Sequence, residues 1–315
     1  MNLRHLCSIN DLTTKEMFEI MDMAAEFKKD IETNQQTAPI LSRRLIGMLF
    51  FEASTRTQQS FSAAAERLGA ITRDPPFKIK KDKDGDDNTS LSKGESFYDS
   101  VMTMAGYCDA LVIRTPWEGS QLAMSERSKI PIINAGDGRN QHPTQTLLDL
   151  FSIRETQGRL EDLSITIVGD LKYGRTVHSL VHAMANFNTR FNFVSPDILK
   201  LPDEYKKFLT TRKLKFIETD NMELAIQGAD IVYMTRIQKE RFGDIMEYEK
   251  VKNSYILESS ALAGTKDNLK ILHPMPIVNE IKYEVDDTPK AYYFDQSRNG
   301  MFVRMAILSR LLNVK

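Results

Sequence analysis

Cysteine is scarce in this sequence of 315 residues, where Cys7 and Cys108 are the whole supply. Two cysteines exclude a disulfide framework and fit a reducing cytosol, so a cytoplasmic protein is expected. Long apolar runs are lacking as well. No stretch approaches membrane-spanning length, and Met1 to Asn10 has no apolar core of the kind a signal peptide carries. Excess charge of one sign is also missing. The 42 Lys and Arg against 43 Asp and Glu leave a net charge of −1. That balance gives no general attraction to nucleic acid or to an anionic membrane. Metal-ligand clusters do not stand out. His178 and His182 are four apart, but Ser179-Leu180-Val181 between them lacks the Glu of a zinc-protease helix, so they read as one helix face. Asp82, Asp84 and Asp86 have the spacing of a calcium loop. Asp87, however, stands where that loop needs Gly, and Lys93 where it needs Glu. No metal or other cofactor is expected.

What is present is the composition of a soluble globular protein, 41% hydrophobic and 27% charged, with length for two domains. The pattern Leu12, Met17, Ile20, Met21, Ala24, Phe27 predicts a helix, with Thr13-Thr14-Lys15-Glu16 near its start. The run Leu45 to Phe51 reads as a buried strand. Phe61, Ala64, Ala65 and Leu68 then recur at helical spacing, so a helix begins near Ser54. Asp74 to Asp87 is a charged loop, and Ser92 to Ser96 opens another helix. Strands follow at Ala110–Arg114 and Ile130–Asn134, and His142-Pro143-Thr144-Gln145 starts a helix with Pro143 in its first turn. After the polar stretch Glu155 to Asp162, a candidate junction, the alternation restarts. Strands are predicted at Ile165–Val168, Phe191–Val194, Ile231–Met234, Tyr255–Leu257 and Ile271–Leu272, with helices at Thr176–Ala185 and Met301–Leu312. Helices alternating with short apolar strands predict an α/β fold of two domains, each a parallel sheet flanked by helices, with the C-terminal helix returning to the first.

Ligands of open parallel sheets bind beyond the carboxyl ends of the strands. Arg56, Arg114, Arg175 and Arg236 all fall at or just beyond such ends, and in a chain of near-zero charge they point to a shared anionic site. Ser54, Thr55 and Thr57 surround Arg56 where a strand turns into a helix. Free N–H groups and the dipole attract an anion there, although helix capping is the ordinary employment of such residues. Gly169-Asp170-Leu171-Lys172-Tyr173-Gly174-Arg175-Thr176 has the glycine spacing of a nucleotide P-loop, with Arg175 in place of its Lys, so it reads better as a turn presenting Arg175. His142 beside Gln145 at a helix start suits a neutral donor to a polarised carbonyl. His273-Pro274-Met275-Pro276 ends a strand, and a cis bond before Pro276 would aim backbone carbonyls into a cleft. No Ser-His-Asp set, thiol nucleophile or paired acid stands out. Such a site suits a transfer in which the substrate itself attacks, assisted by orientation and charge stabilisation.

Together these stretches resemble the aspartate/ornithine carbamoyltransferase family. They are Phe50 to Thr57, Asn134 to Gly138 with Gln141 to Asp149, Val168 to Leu180, Tyr233 to Arg241, and Leu272 to Pro276. They stand in family order and cover nearly the whole chain. Asp170 to Thr176 and Thr235 to Arg241 resemble the members that use aspartate. The resemblance implies a carbamoyl phosphate-binding domain at 1–143 with 298–315 and an aspartate-binding domain at 144–297. It also implies conversion of carbamoyl phosphate and L-aspartate to N-carbamoyl-L-aspartate and phosphate, an early step of pyrimidine synthesis. By position, Ser54, Thr55, Arg56 and Thr57 would hold phosphate, and Arg114 would bridge phosphate and carbonyl. Thr55 and His142 would polarise that carbonyl, Gln145 would fix the carbamoyl amino group, and Met275 and Pro276 would offer it backbone carbonyls. Arg175, Arg236 and Gln238 would bind the aspartate carboxylates. Ser90 and Lys93 would reach in from a neighbouring copy of a homotrimer, Lys93 toward aspartate. Arg56, Thr57, Arg114, His142 and Lys93 would carry the catalysis. The resemblance leaves room for regulatory chains. Ile277 departs from the Arg usual at its place, and Ser92 shortens the basic pair beside Lys93. Competing readings are a transcarbamoylase with another acidic acceptor, an ornithine enzyme, a P-loop protein and an inactive scaffold. Pro274 where ornithine enzymes have Cys, together with Arg236, favours an acidic acceptor.

Overall fold

A computed structural model describes residues 4–34, 38–75 and 94–313. Ser90, Lys93 and the acidic stretch 82–87 lie outside the described residues. The chain divides into two compact units, residues 1–147 with 299–315, and residues 148–298.

In the first unit, helix α1 (Thr14–Glu32) leads to strand β1 (Leu45–Phe50), helix α2 (Thr55–Arg67) and strand β2 (Ile71–Arg73). Helix α3 (Phe97–Ala105), strand β3 (Ala110–Thr115), helix α4 (Ser120–Ser125), strand β4 (Ile132–Asp137) and the start of helix α5 (Pro143–Gln157) follow. The sheet order is β2-β1-β3-β4, with every neighbouring pair parallel. β1, β3 and β4 are buried almost end to end, as strands covered on both faces must be. The outer edge of β4 takes a one-residue parallel bridge from Leu6 to Ile133, which blunts it against further pairing. Met17, Ile20, Met21 and Ala24 form the buried stripe of α1. Phe61, Ala64 and Ala65 form that of α2. Both repeat every three or four residues, as one face of a helix requires.

The second unit holds strand β5 (Ser164–Val168), helix α6 (Arg175–Met184), strand β6 (Arg190–Val194), helix α7 (Asp203–Thr211) and strand β7 (Phe216–Thr219). Helix α8 (Met222–Gln227), strand β8 (Ile231–Met234), helix α9 (Ile245–Val251), strand β9 (Lys270–Leu272) and helix α10 (Tyr293–Leu311) complete it. Its sheet is again wholly parallel, in the order β7-β6-β5-β8-β9. Val168, Val232, Met234 and Ile271 pack with Ala225, Ile226 and Tyr293 into one core cluster. α10 begins in this unit, and from Asn299 onward it belongs to the first, so the expected return of the C-terminal helix is found.

Helices α4, α7, α8 and α9 carry no prediction, and three further details depart from the sequence reading. β2 and β7 carry no prediction, because both are short edge strands with largely exposed residues and no apolar run. Tyr255–Leu257 is not a strand. Only Leu257 pairs, in an isolated bridge to Ile281, since three apolar residues with only Leu257 buried cannot sustain a ladder. α10 starts at Tyr293, eight residues before the predicted Met301, because Gly300 lies inside the helix rather than before it.

Both sheets share one topological feature. The chain winds to one side from β1 to β2 and to the other from β3 to β4, so the order reverses between β1 and β3. In the second sheet it reverses between β5 and β8. Such reversals open a crevice beyond the strand ends, where ligands of doubly wound folds collect.

Candidate active site

At the reversal in the first unit, Phe50 on β1 pairs with Arg114 on β3. β1 runs through Glu52 into α2, whose N-cap is Ser54. Thr13, Ser96, Asn221 and Asp244 each cap their own helix by accepting a backbone N–H. Ser54 makes no such bond. Among the described α-helices that begin on Ser, Thr, Asn or Asp, it alone leaves its hydroxyl out of the cap. The first amides of a helix lack partners within it, so hydroxyl, amides and dipole can all serve one anion. Thr55 and Arg56 are exposed in this first turn and Thr57 is buried.

Arg114 is buried, and its guanidinium is clamped. One terminal nitrogen donates to the Ala135 carbonyl on β4 at 3.0 Å and the other to Glu52 Oε1 at 3.2 Å. The β4 side is knotted by Asp137. Its carboxylate accepts from Gly119 N at 2.9 Å, Asn134 Nδ2 at 3.1 Å, Asn140 Nδ2 at 2.9 Å and Gln141 N at 2.7 Å. This knot fixes the loop that delivers His142, which is buried at the head of α5 with Nδ1 3.4 Å from Thr144 Oγ1. The His142 carbonyl accepts from Gln145 N at 2.9 Å, which places Gln145 in the same first turn. Residues 54–57, Arg114, His142 and Gln145 are therefore carried on three neighbouring strand ends.

At the reversal in the second unit, β5 and β8 meet at Gly169 and Thr235. Gly169 has φ +117, and a Cβ there would lie 2.2 Å from the Thr235 carbonyl oxygen, so no side chain fits. Thr235 Oγ1 donates to the Val168 carbonyl and accepts from Asp170 N, both at 3.0 Å. Arg236 leaves directly from this stitch. Arg175 opens α6 on Gly174, where a Cβ would stand 2.5 Å from the Asp170 carbonyl. Asp170 itself is fully buried, and its Oδ1 accepts from Tyr173 N at 2.9 Å. Burial pushes this carboxyl up to about 6, against the pull of the Tyr173, Gln238 and Lys172 amides and the Arg241 charge. Asp170 thus faces both the turn before Arg175 and the segment that holds Arg236 and Gln238. Those three proposed acceptor residues are half-buried.

Beside this turn is a cavity of about 400 Å³ lined by Lys172, Tyr173, Lys200, Phe242 and Glu247 among others, without Arg175, Arg236 or Gln238. His178 and His182 lie on α6 as a helix face, His178 stacked on Tyr205 and His182 tilted against Phe208, each with ring centres 4.3 Å apart. Met275 and Pro276 follow β9 through a cis peptide bond, with Met275 at φ +60. The supporting roles of Glu52, Asp137 and Asp170 are not visible in the sequence, since each depends on a partner distant in the chain, namely Arg114, Gly119 and the Gln238 amide.

Residues 4–155 match the family model for the carbamoyl-phosphate-binding domain of aspartate/ornithine carbamoyltransferases, and residues 161–311 match that for the Asp/Orn-binding domain. The chain belongs to the aspartate/ornithine carbamoyltransferase family. Among relatives in this carbamoyltransferase family is the aspartate carbamoyltransferase catalytic subunit of Bacteroides fragilis, 49% identical over 100% of this chain and 98% of the relative. The catalytic subunit of the M. jannaschii aspartate transcarbamoylase superposes with a TM-score of 0.88 at 44% identity, covering 98% of each chain. The Trypanosoma cruzi aspartate transcarbamoylase, solved with carbamoyl phosphate, gives a TM-score of 0.88 at 32% identity over 98% of this chain and 95% of that one. No helix among the described residues is long and apolar enough to cross a membrane.

Proposed function

We propose that this carbamoyltransferase joins carbamoyl phosphate to L-aspartate, giving N-carbamoyl-L-aspartate and phosphate, at an early step of pyrimidine synthesis. The observation that carries the reading is the placement of two cationic sets at the two winding reversals. Arg56 follows β1, Arg114 lies near the carboxyl end of β3, and Arg175 and Arg236 follow β5 and β8. One set answers a phosphorylated donor and the other a small diacid. Residues 1–143 with 298–315 then form the donor domain, and 144–297 the acceptor domain.

In this reading Ser54, Thr55, Arg56 and Thr57 hold the phosphate. Arg114 bridges it to the carbonyl, Gln145 takes the carbamoyl amino group, and Met275 and Pro276 offer it backbone carbonyls. Arg175, Arg236 and Gln238 take the carboxylates of aspartate, with Lys93 beside them. The amine attacks the carbamoyl carbon, a C–N bond forms, and the bond to the phosphate oxygen breaks. Negative charge gathers on the carbonyl oxygen, where Arg114, Thr55 and His142 stabilise it. The departing phosphate accepts the amine proton, so no protein base is needed. Ser90 and Lys93 come from a neighbouring copy of a homotrimer in the cytoplasm.

The test is to weigh the purified chain in solution and supply it with carbamoyl phosphate and either aspartate or ornithine. The expected result is a mass of three chains and turnover of aspartate alone. Ornithine turnover without aspartate turnover overturns the acceptor assignment, and an active monomer overturns the shared site.

A further inference from the structure

The turn after β9 holds a buried acid–imidazole pair to which the reaction above gives no task. His273 Nε2 and Glu280 Oε1 stand 2.7 Å apart, with side chains only 1% and 7% exposed. Three backbone amides surround them. Met275 N donates to His273 Nδ1 at 2.7 Å, while Val278 N and Asn279 N donate to Glu280 Oε2 at 3.2 and 3.0 Å. These contacts settle the protonation. An amide N–H only donates, so Nδ1 is a bare acceptor and the ring proton sits on Nε2, toward Glu280. Both Glu280 oxygens then receive N–H groups, the arrangement that suits a carboxylate. Burial pushes that carboxyl up, but the bond from His273 and those from the backbone amides outweigh it and hold it below the ordinary range.

The strand side of the turn is fastened too. His273 N donates to Gln296 Oε1 at 2.7 Å, Gln296 Nε2 to Asp149 Oδ1 at 2.7 Å, and Tyr233 Oη to Asp149 Oδ2 at 2.8 Å. Between these fastenings Met275 sits at φ +60. That conformation is uncommon for a residue other than glycine.

We propose that His273 and Glu280 are positioning residues that set the aim of the Met275 and Pro276 backbone, and through it the preference for a phosphorylated donor bearing an amide. This rests on the assignment of Met275 and Pro276 to the carbamoyl amino group. Glu280→Gln removes the double acceptor. If its oxygen faces the Val278 and Asn279 amides, its NH2 confronts His273 Nε2–H. If it faces His273, the NH2 confronts the two amides. Either way the turn loses a bond that fixes Met275. His273→Asn keeps an acceptor near the place of Nδ1 for Met275 N, whereas His273→Gln keeps a donor toward Glu280 and gives up Met275 N.

The probe is acetyl phosphate, in which a methyl replaces the amino group, measured as a competitive inhibitor beside the KM for carbamoyl phosphate. Glu280→Gln and His273→Gln are expected to weaken carbamoyl phosphate about tenfold, the worth of one ordinary hydrogen bond, with acetyl phosphate inhibition and aspartate KM unchanged. His273→Asn is expected to recover part of the preference. Equal weakening of both donors, or an unchanged preference, overturns the proposal. Where Glu280→Gln does not accumulate folded, His273→Gln carries the same comparison. Failure of the function itself looks different, because the wild-type protein would then not use carbamoyl phosphate at all.

Discussion

The starts of α1 and α2 use the same kind of residue for opposite ends. At α1, Thr13 accepts from Glu16 N and the Glu16 side chain returns to the Thr13 backbone, a closed capping box. At α2, Ser54 stands at the equivalent place without a capping bond, and Thr55, Arg56 and Thr57 follow it. The first helix spends its polar residues on its own amides and gains stability. The second leaves its first amides without a side-chain cap, which is useful only if something anionic fills the gap. A site can thus be recognised by a local stabilising bond that its residues could make and do not.

The largest effects should fall on the cations beside such gaps. Arg56→Ala is expected to cut kcat/KM for carbamoyl phosphate about a thousandfold, as loss of a positioned charge donor does. Arg236→Ala is expected to raise the aspartate KM about a hundredfold, the worth of a charge-assisted bidentate contact. Steady-state kinetics with each substrate varied in turn separates the two. The assignment of one set to each substrate breaks if Arg236→Ala leaves aspartate saturation untouched or if Arg56→Ala acts on aspartate alone.

A smaller crossed effect tests the caps themselves. Thr13→Ala should lower stability by about 1 kcal/mol, or about 2 °C in Tm for a chain of this size, with activity intact. Ser54→Ala should leave Tm where it is and weaken carbamoyl phosphate about tenfold. Thermal melts and donor KM values for the two variants check this. A Tm loss in Ser54→Ala matching that of Thr13→Ala would mean that Ser54 is an ordinary cap after all.

How far the sequence could be read follows from which interactions are local. The run Leu45–Phe51 and the spacing Phe61, Ala64, Ala65, Leu68 each lie within one element, so β1, α2 and the turn between them were legible, and Arg56 with them. The same holds for Arg175 and Arg236, which need only a strand end before them. Edge strands β2 and β7 were not legible, because a strand with one neighbour and largely exposed side chains needs no apolar run. Glu52 pairs with Arg114 across 62 positions, and nothing in either neighbourhood announces the other. Ile271 and Ile256 look alike as sequence. Ile271 lies in a strand because β8 is beside it, while Ile256 finds no partner strand.

The acids behind the two crevices sharpen the comparison to its finest point. Glu52 meets the guanidinium of Arg114 directly, whereas Asp170 is fully buried, with Oδ1 accepting from the Tyr173 amide and Oδ2 left without a hydrogen-bond partner. Its carboxyl titrates near 3.8 when unperturbed and near 6 in the folded protein, with burial as the main cause. Within that window the folded chain still holds a proton that the unfolded chain has released. Stability from this group is therefore fully present below the lower value and is lost as pH rises toward the upper one, by about 2–3 kcal/mol in all. Asp170→Asn has no such titration. One acceptor oxygen in place of two will shift its Tm at every pH, so the offset is uninformative and the slope decides. The Tm of Asp170→Asn minus that of the wild type is expected to climb between pH 4 and 6 and to level off above neutrality. A difference that stays flat across that range would mean that the amides and the Arg241 charge fully offset the burial of Asp170.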